Sequence, residues 1–350
     1  MLDDQRRIER IDREKMRELL IRFPLQCRET FQIVEKPKIS LEILSKKRKI
    51  IICGMGGSAI GGEILKTLLW KANFSVFVNR GYTLPQLVDK ETIVFTISYS
   101  GNTEETLTAY KEAKKRGVSL VSICSGGKLR EWSKRDKVPC FVIPSGMPPR
   151  TALGYLFIPM LKVLEQLKWV EKENYEELFQ VLSNIKRSSA PSVPIKSNRA
   201  KIISSKLLGK IPLIYGIEGK TDAIAHRLKT QFNENSKVLA FWNVFPELNH
   251  NEVVGWEKER NLNKFYFLFI RDKDEGERIT KRIEITQNIL KDKDVSLEEI
   301  WTEGKNLLTR IFSAIYFGDW VSFYLALLQD VDPTAIKTID LLKQKMGKMK

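Results

Sequence analysis

The chain has 350 residues, 43% of them hydrophobic, enough for one large or two ordinary domains with well-buried cores. Its formal charge of +16 is spread through stretches such as "AYKEAKKRG" and "KRDK", with acids interleaved, and clusters tightly only in the tail "LLKQKMGKMK". That pattern is a solvated basic surface which attracts small anions, so no nucleic-acid partner is expected. Apolar runs such as "VSFYLALL" fall short of the roughly 20 residues needed to cross a bilayer, and "MLDDQRRIERIDREK" is too charged for a signal peptide; no membrane partner and a cytoplasmic location follow as expectations.

In chain order, Ile8, Ile11, Met16, Leu19 and Leu20 have helical spacing, which predicts an amphipathic helix over residues 4–20. "KIIIC" reads as a strand, "SAIGGEILKTLLW" as a helix, and "FSVFVN" and "TIVFTIS" as strands. A helix "TEETLTAYKEAKKRG" and the strands "SLVSICS" and "CFVIP" follow, and a helical stretch spans Leu153 to Leu182. This alternation means a parallel sheet with helices on both faces. The Ser-, Pro- and Lys-rich segment 186–198, "KRSSAPSVPIKSN", reads as a linker. Beyond it the pattern restarts: "IPLIYGIEGKTDAIAHRLKT" echoes "IIICGMGGSAIGGEILKTLL", with Gly54 matching Gly216 and Gly57 matching Gly219, as in an internal duplication. The expected organisation is α/β: a helical lead over 1–40, a first domain over 41–185, the linker, and a second domain over 199–350. The cysteines Cys27, Cys53, Cys124 and Cys140 form no CxxC pair and read as buried, reduced thiols.

Two segments carry chemistry. Gly54-x-Gly56-x-x-Ala59, between a strand and a helix, presents backbone N–H groups to an anion; it also fits a dinucleotide-binding turn, or a turn that only lets helix and strand approach closely. The place where a dinucleotide fold wants an acid holds Asn79-Arg80, which suits only a 2′-phosphate. The second segment, "FTISYSGNTEETL", puts Ser98, Ser100, Asn102 and Thr103 between a strand and a helix start. One hydroxyl would cap that helix; three, at the positive end of its dipole, make a phosphate cradle without a charged side chain. A sugar monophosphate held between the two loops needs both cradles. The second half lacks a counterpart, since "KFYFLFI" runs into "RDKDEGER".

"SYSGNTEET" preceded by "GMGGSAIGG" is very similar to the phosphosugar-binding pattern of the sugar isomerase (SIS) domain family. "PPRTALGY", "KTQFNENSK" and "PELNHNEVVGW", in this order, resemble the bifunctional phosphoglucose/phosphomannose isomerases, over about 300 residues and least in the first 40. The resemblance implies two SIS-like domains in a metal-free, cofactor-free homodimer. Its reaction would interconvert glucose 6-phosphate and mannose 6-phosphate with fructose 6-phosphate through a cis-enediol. Gly56, Gly57, Ser58, Ser98, Ser100 and Thr103 would bind the phosphate.

One carboxylate must reach both C1 and C2, and the resemblance points to Glu234, with Glu247 and Glu252 as competitors. His250, delivered from the partner subunit, would open the sugar ring, while His226 reads as a packing or surface histidine. Arg150 would stabilise the enediolate and Lys343, chosen over Lys337 and Lys345, would complete the site. Thr334 matches a small residue that leaves room for either C2 epimer. Two alternatives of other classes are a non-catalytic sugar-phosphate regulator and an NADP-dependent oxidoreductase built on the glycine turn and Arg80.

Overall fold

The uncharged Ile-, Val- and Phe-rich runs can form strands buried on both faces, and most of them do so. The computed structural model describes residues 1–34, 37, 44, 47–258, 261–293 and 295–346; the boundary expected at 40–41 and the last four residues of the basic tail lie outside them. β1 (Lys49–Cys53), β2 (Ser75–Asn79), β3 (Thr92–Ile97), β4 (Ser119–Cys124) and β5 (Cys140–Val142) form a parallel sheet in the order β2-β1-β3-β4-β5. β6 (Ile211–Ile217), β7 (Phe241–Phe245), β8 (Phe265–Arg271) and β9 (Ser296–Trp301) form a second, ordered β7-β6-β8-β9. Every strand pair is parallel, and β1 and β6 hold equivalent places beside an edge strand.

Side chains alternate between two buried faces in each sheet. Ile50, Ile52, Ile93, Phe95 and Ile97 join Ile214, Leu268 and Ile270 in one core lying between the sheets. Ile51, Cys53 and Val94 face a separate outer core, and Tyr215, Phe267 and Phe269 face a third. The central core is built around the helix Leu307–Leu328, which packs on the helices Arg199–Leu207, Tyr175–Ser189 and Asp222–Gln231. By length and composition this helix could cross a bilayer, which corrects the expectation drawn from shorter apolar runs. It does not lie bare: 89% of its most apolar 18-residue stretch is buried in the protein. Its charges are answered internally, Arg310 by Asp272 and Asp319 by Arg227, each at 2.8 Å.

The N-terminal lead is two helices, Gln5–Ile11 and Met16–Ile33, instead of one over 4–20. Asp12 makes the break, since its carboxylate accepts the backbone N–H of Met16 at 2.7 Å and of Arg17 at 3.0 Å and so starts the second helix. That helix continues past residue 20 because Leu20, Phe23, Cys27 and Thr30 keep the buried spacing, with Pro24 accommodated inside it. The Gln26 carboxamide donates to the carbonyl of Thr151 (2.8 Å) and accepts from the N–H of Gly154 (2.9 Å). A Cβ on Gly154 would lie 3.0 Å from Cys27 Sγ, so glycine is what permits this close packing.

The helical stretch expected over 153–182 is also two helices, Leu153–Gln166 and Tyr175–Ser189. Lys168 adopts a left-handed conformation (φ 58°), and the Asn174 side chain caps the second helix by accepting from Glu177 N–H. The segment 186–198 begins as the end of that helix and carries one 3₁₀ turn, Ile195–Ser197, before Asn198 caps the next.

The ring of Phe23 is 3% exposed and lies 5.1 Å from that of Tyr316 on the core helix. Phe23→Ala should therefore lower stability by about 3–5 kcal/mol, seen as a lower urea midpoint at unchanged m; a change under 1 kcal/mol would show that the N-terminal helices contribute little to the core.

Candidate functional site

In an open parallel sheet, ligands bind beyond the carboxyl ends of strands where the chain's winding reverses, here between β1 and β3. The glycine turn follows β1 and the hydroxyl loop follows β3, so the topology sets the two cradles side by side. Gly54 abuts the carbonyl of Ile97 and the first turn of the helix Gly57–Leu68, where a Cβ would come within 3.1 Å of both. Gly56 has φ 50° and ψ −122°, which a side chain would strain. A Cβ on Gly57 would lie 2.9 Å from the backbone nitrogen of Arg150.

The two loops are tied directly, because Tyr99 N–H donates to Ser58 Oγ at 3.3 Å. Ser98 is fully buried; its hydroxyl lies 2.8 Å from Thr103 Oγ1 and accepts the N–H of Thr103 at 3.3 Å. Ser100 is exposed and accepts the N–H of Asn102. Asn102 holds the neighbouring loop by accepting Lys128 N–H at 3.0 Å, which makes it scaffold.

The helices Gly57–Leu68 and Glu104–Lys115 begin here without any side-chain cap, whereas Asn174, Asn198 and Asn306 cap helices elsewhere. Their first N–H groups carry the positive ends of two helix dipoles to the same rim, where a phosphate would be held.

Tyr99, in the middle of "SYSGN", reaches the next part of the site. Its hydroxyl donates to Pro144 O and accepts Met147 N–H, each at 3.0 Å, and so fixes the segment that leads to Arg150. Arg150 sits in the 3₁₀ turn Pro149–Thr151 and is 2% exposed. Its Nε donates to Asn235 Oδ1 at 2.7 Å, Nη1 to Glu234 Oε2 at 3.3 Å, and Nη2 to the carbonyls of Pro333 and Thr334 at 2.9 and 2.8 Å. Burial pushes this guanidinium below its usual range, and the charge of Glu234 opposes the shift.

Glu234 is presented by a single π-turn, Phe232–Ser236, that ends the helix Asp222–Gln231. The turn is pinned from below: Asn235 Nδ2 donates to Ser322 Oγ at 3.0 Å and Ser236 Oγ to Ser322 O at 2.7 Å. Behind Arg150, Arg227 donates to its carbonyl at 2.9 Å and to Asp319 at 2.8 Å, and Gln231 donates to Asp319 at 2.7 Å. Asp319 is buried, and desolvation raises its carboxyl against the pull of Arg227. A cavity of about 550 Å³ opens beside Glu234, lined also by Asn233, Lys237, Asp332 and Lys337.

Of the competing carboxylates, Glu252 accepts the Tyr215 hydroxyl and Asn243 Nδ2, and exposed Glu247 accepts from Asn251. Only Glu234 among the three meets Arg150. His250 is exposed in the turn after the edge strand β7, does not line the cavity, and is bonded by no described residue. His226 stacks on Trp242, with ring centroids 4.9 Å apart, and burial together with Arg80 holds it below its ordinary value. Thr334 is buried, and its Oγ1 has no hydrogen-bond partner among the described residues. Lys343 is exposed on the helix Lys337–Met346, while Lys337 at the start of that helix lines the cavity. Arg80, which an NADP reading would use, pairs with Glu63 at 2.6 Å. Among the described residues no group of three or more His, Cys, Asp or Glu is arranged to hold a metal ion.

The second half spends its equivalent positions on itself. Thr221 Oγ1 accepts Ile217 N–H at 2.8 Å and donates to Ile270 O at 3.1 Å, and Asp222 accepts Gly219 N–H. After β8, Asp272 and Glu275 bind Arg310 and Arg271 where the first half has its hydroxyl loop. Acids in these places would repel a phosphate. The sequence reading missed Asn235, Arg227 and Asp319: Asn235 stands in the quoted "FNENSK", but nothing local marks Arg227 or Asp319 as neighbours of Arg150.

Residues 43–131 match the sequence model of the family described as "SIS domain", and residues 196–346 match "Bacterial phospho-glucose isomerase C-terminal SIS domain". The bifunctional phosphoglucose/phosphomannose isomerase of Caldicellulosiruptor bescii is 43% identical over 340 residues, covering 96% of this chain and 100% of its own. The protein of the same name from Thermoplasma acidophilum is 40% identical over 298 residues, covering 85% of this chain and 89% of its own. In fold, a hypothetical protein from Thermus thermophilus superposes with TM-score 0.78 at 14% identity, covering 98% of this chain and 94% of that one. With two SIS-type sheets, the uncapped cradles and the Arg150–Glu234 pair in place, the chain belongs to the family of bifunctional phosphoglucose/phosphomannose isomerases.

Proposed function

We propose that this protein is an aldose–ketose isomerase that interconverts glucose 6-phosphate and mannose 6-phosphate with fructose 6-phosphate. The observation that carries the reading is the Glu234 carboxylate, 3.3 Å from the buried Arg150 and open to a cavity. The phosphate docks at the first-half rim on the N–H groups and hydroxyls of Gly56, Gly57, Ser58, Ser100 and Thr103, with buried Ser98 holding Thr103 in place behind them. Glu234 then takes the C2 proton of the aldose and returns it to C1, and the negative charge of the enediolate develops beside Arg150.

The guanidinium has five N–H donors, of which the four bonds named above use one each. One N–H on Nη1 is left for the enediolate oxygen, and the other four hold the fork still. Stabilisation by a group already fixed in place requires no rearrangement when the charge appears. Both C2 epimers give the same enediol, and the compact Thr334 is assigned the role of leaving room for either.

We place the enzyme in the cytoplasm as a homodimer. In that assembly the exposed His250 of each subunit serves ring opening in the other, which accounts for its distance in sequence and partners from Arg150. Lys343 is assigned as the second cation of the C-terminal helix on the family resemblance, with Lys337 as the residue that the cavity itself favours.

The deciding assay measures turnover of glucose 6-phosphate and mannose 6-phosphate by pure protein in EDTA. Turnover of both is expected; activity on neither sinks the reading, and activity on glucose 6-phosphate alone removes the role given to Thr334. Glu234→Gln should reduce kcat by about 10²–10⁴-fold with KM little changed, whereas an active variant would reassign the base. Arg150→Lys, which keeps the charge but loses the fork, should cost about 10²–10³-fold in kcat. Mixing and refolding Glu234→Gln with His250→Ala should restore partial activity, since a hybrid dimer contains one intact site; continued inactivity would place His250 outside the partner's site.

A further inference from the structure

The loop after the core helix is gripped by two cations. Arg150 takes the carbonyls of Pro333 and Thr334, and Lys237 Nζ takes the carbonyl of Asp332 at 2.5 Å, so three successive carbonyl oxygens turn towards positive charge. Lys237 ends the π-turn of Glu234 in a left-handed conformation (φ 56°), with its N–H bonded to Phe232 O. Its ammonium also donates to Asn235 O at 3.2 Å, on the same turn. An ammonium has three N–H donors, and these two bonds leave one. Lys237 lines the cavity together with Glu234, Asp332 and Lys337.

We propose that Lys237 is a further substrate-contacting cation of this site: it clamps the loop at Asp332 to the turn bearing Glu234 and donates its remaining N–H to an oxygen at C1 or C2 of the sugar. The proposal rests on the isomerase reading above. The proton stays on the nitrogen throughout; the contribution is a second positive charge besides that of Arg150 when the enediolate forms.

The charged groups around the ammonium are Arg150, Asp332, Glu234 and Glu14, with Lys337 on the cavity wall. The residue is exposed towards solvent, yet desolvation of its amine, followed by the like charge of Arg150, pushes it down to about 8 against the pull of the three acids. The cationic form is therefore present at neutral pH and is lost as pH rises through about 8, so kcat/KM should fall on that alkaline side.

The test compares Lys237→Met and Lys237→Arg with the parent enzyme in kcat, KM and the pH profile of kcat/KM. Lys237→Met should lose about 10²-fold in kcat and its alkaline limb near pH 8, with competitive inhibition by inorganic phosphate unchanged because that anion sits at the other end. Lys237→Arg should keep partial activity with the limb displaced above pH 9, since an arginine stays charged there. Activity of Lys237→Met within threefold of the parent, or an unmoved limb in either variant, overturns the proposal. If Lys237→Met fails to fold, the profile of Lys237→Arg decides alone. Failure here with Glu234→Gln inactive removes only the role of Lys237; an active Glu234→Gln removes the site reading itself.

Discussion

The guanidinium of Arg150 is the contact on which the rest of the site depends. A buried cation is tolerated only when most of its donors are satisfied, and Arg150 bonds four of its five N–H groups to two distant stretches: Glu234 and Asn235 on the π-turn, and the carbonyls of Pro333 and Thr334. Its backbone lies against Gly57 and its carbonyl is held by Arg227. The glycine turn, the π-turn of Glu234 and the C-terminal loop are therefore tied together at one residue. Removing a partner would leave a donor of Arg150 unpaired in a dry place, and the surrounding Arg227, Gln231, Asp319 and Ser322 are likewise buried and bonded to one another or to this site.

The first-half strands, the helices on either side of the hydroxyl loop and the two-sheet organisation were legible because their signals are local. "KIIIC" and "TIVFTIS" are too apolar to be anything but strands covered on both faces, and a glycine turn between strand and helix keeps a fixed grammar. The candidate residues were legible only through motifs, since periodicity says nothing about which of 43 acids meets an arginine. What stayed hidden depends on tertiary partners. The second N-terminal helix is set by Asp12 capping Met16 and by Phe23 finding Tyr316 almost 300 residues away in sequence. The core helix Leu307–Leu328 was underestimated because Arg310 and Asp319 break its apolar run, and their neutralising partners lie on other elements.

The two halves show how a duplicated frame diverges. Gly54 and Gly216 both press a strand end against the following helix, where a Cβ would come within 3.1 and 2.8 Å of neighbouring atoms. From there the first half leaves helix N-termini uncapped, and the second closes its turn with Thr221 and Asp222 and fills the next loop with ion pairs. An open cradle is useful but unsatisfied; a closed one is stable and inert. The first half keeps the open cradles, and the second carries the turn of Glu234 and the loop that Arg150 grips.

The central core carries a consequence for how the molecule holds together. Side chains from both sheets, both N-terminal helices and the helix Leu307–Leu328 share a single apolar interior. The sequence divides at residues 186–198, but the hydrophobic contacts do not divide there. Neither half could open without exposing apolar faces of the other. A polypeptide cut in the linker should therefore stay associated as two pieces, held by the interior that both of them line.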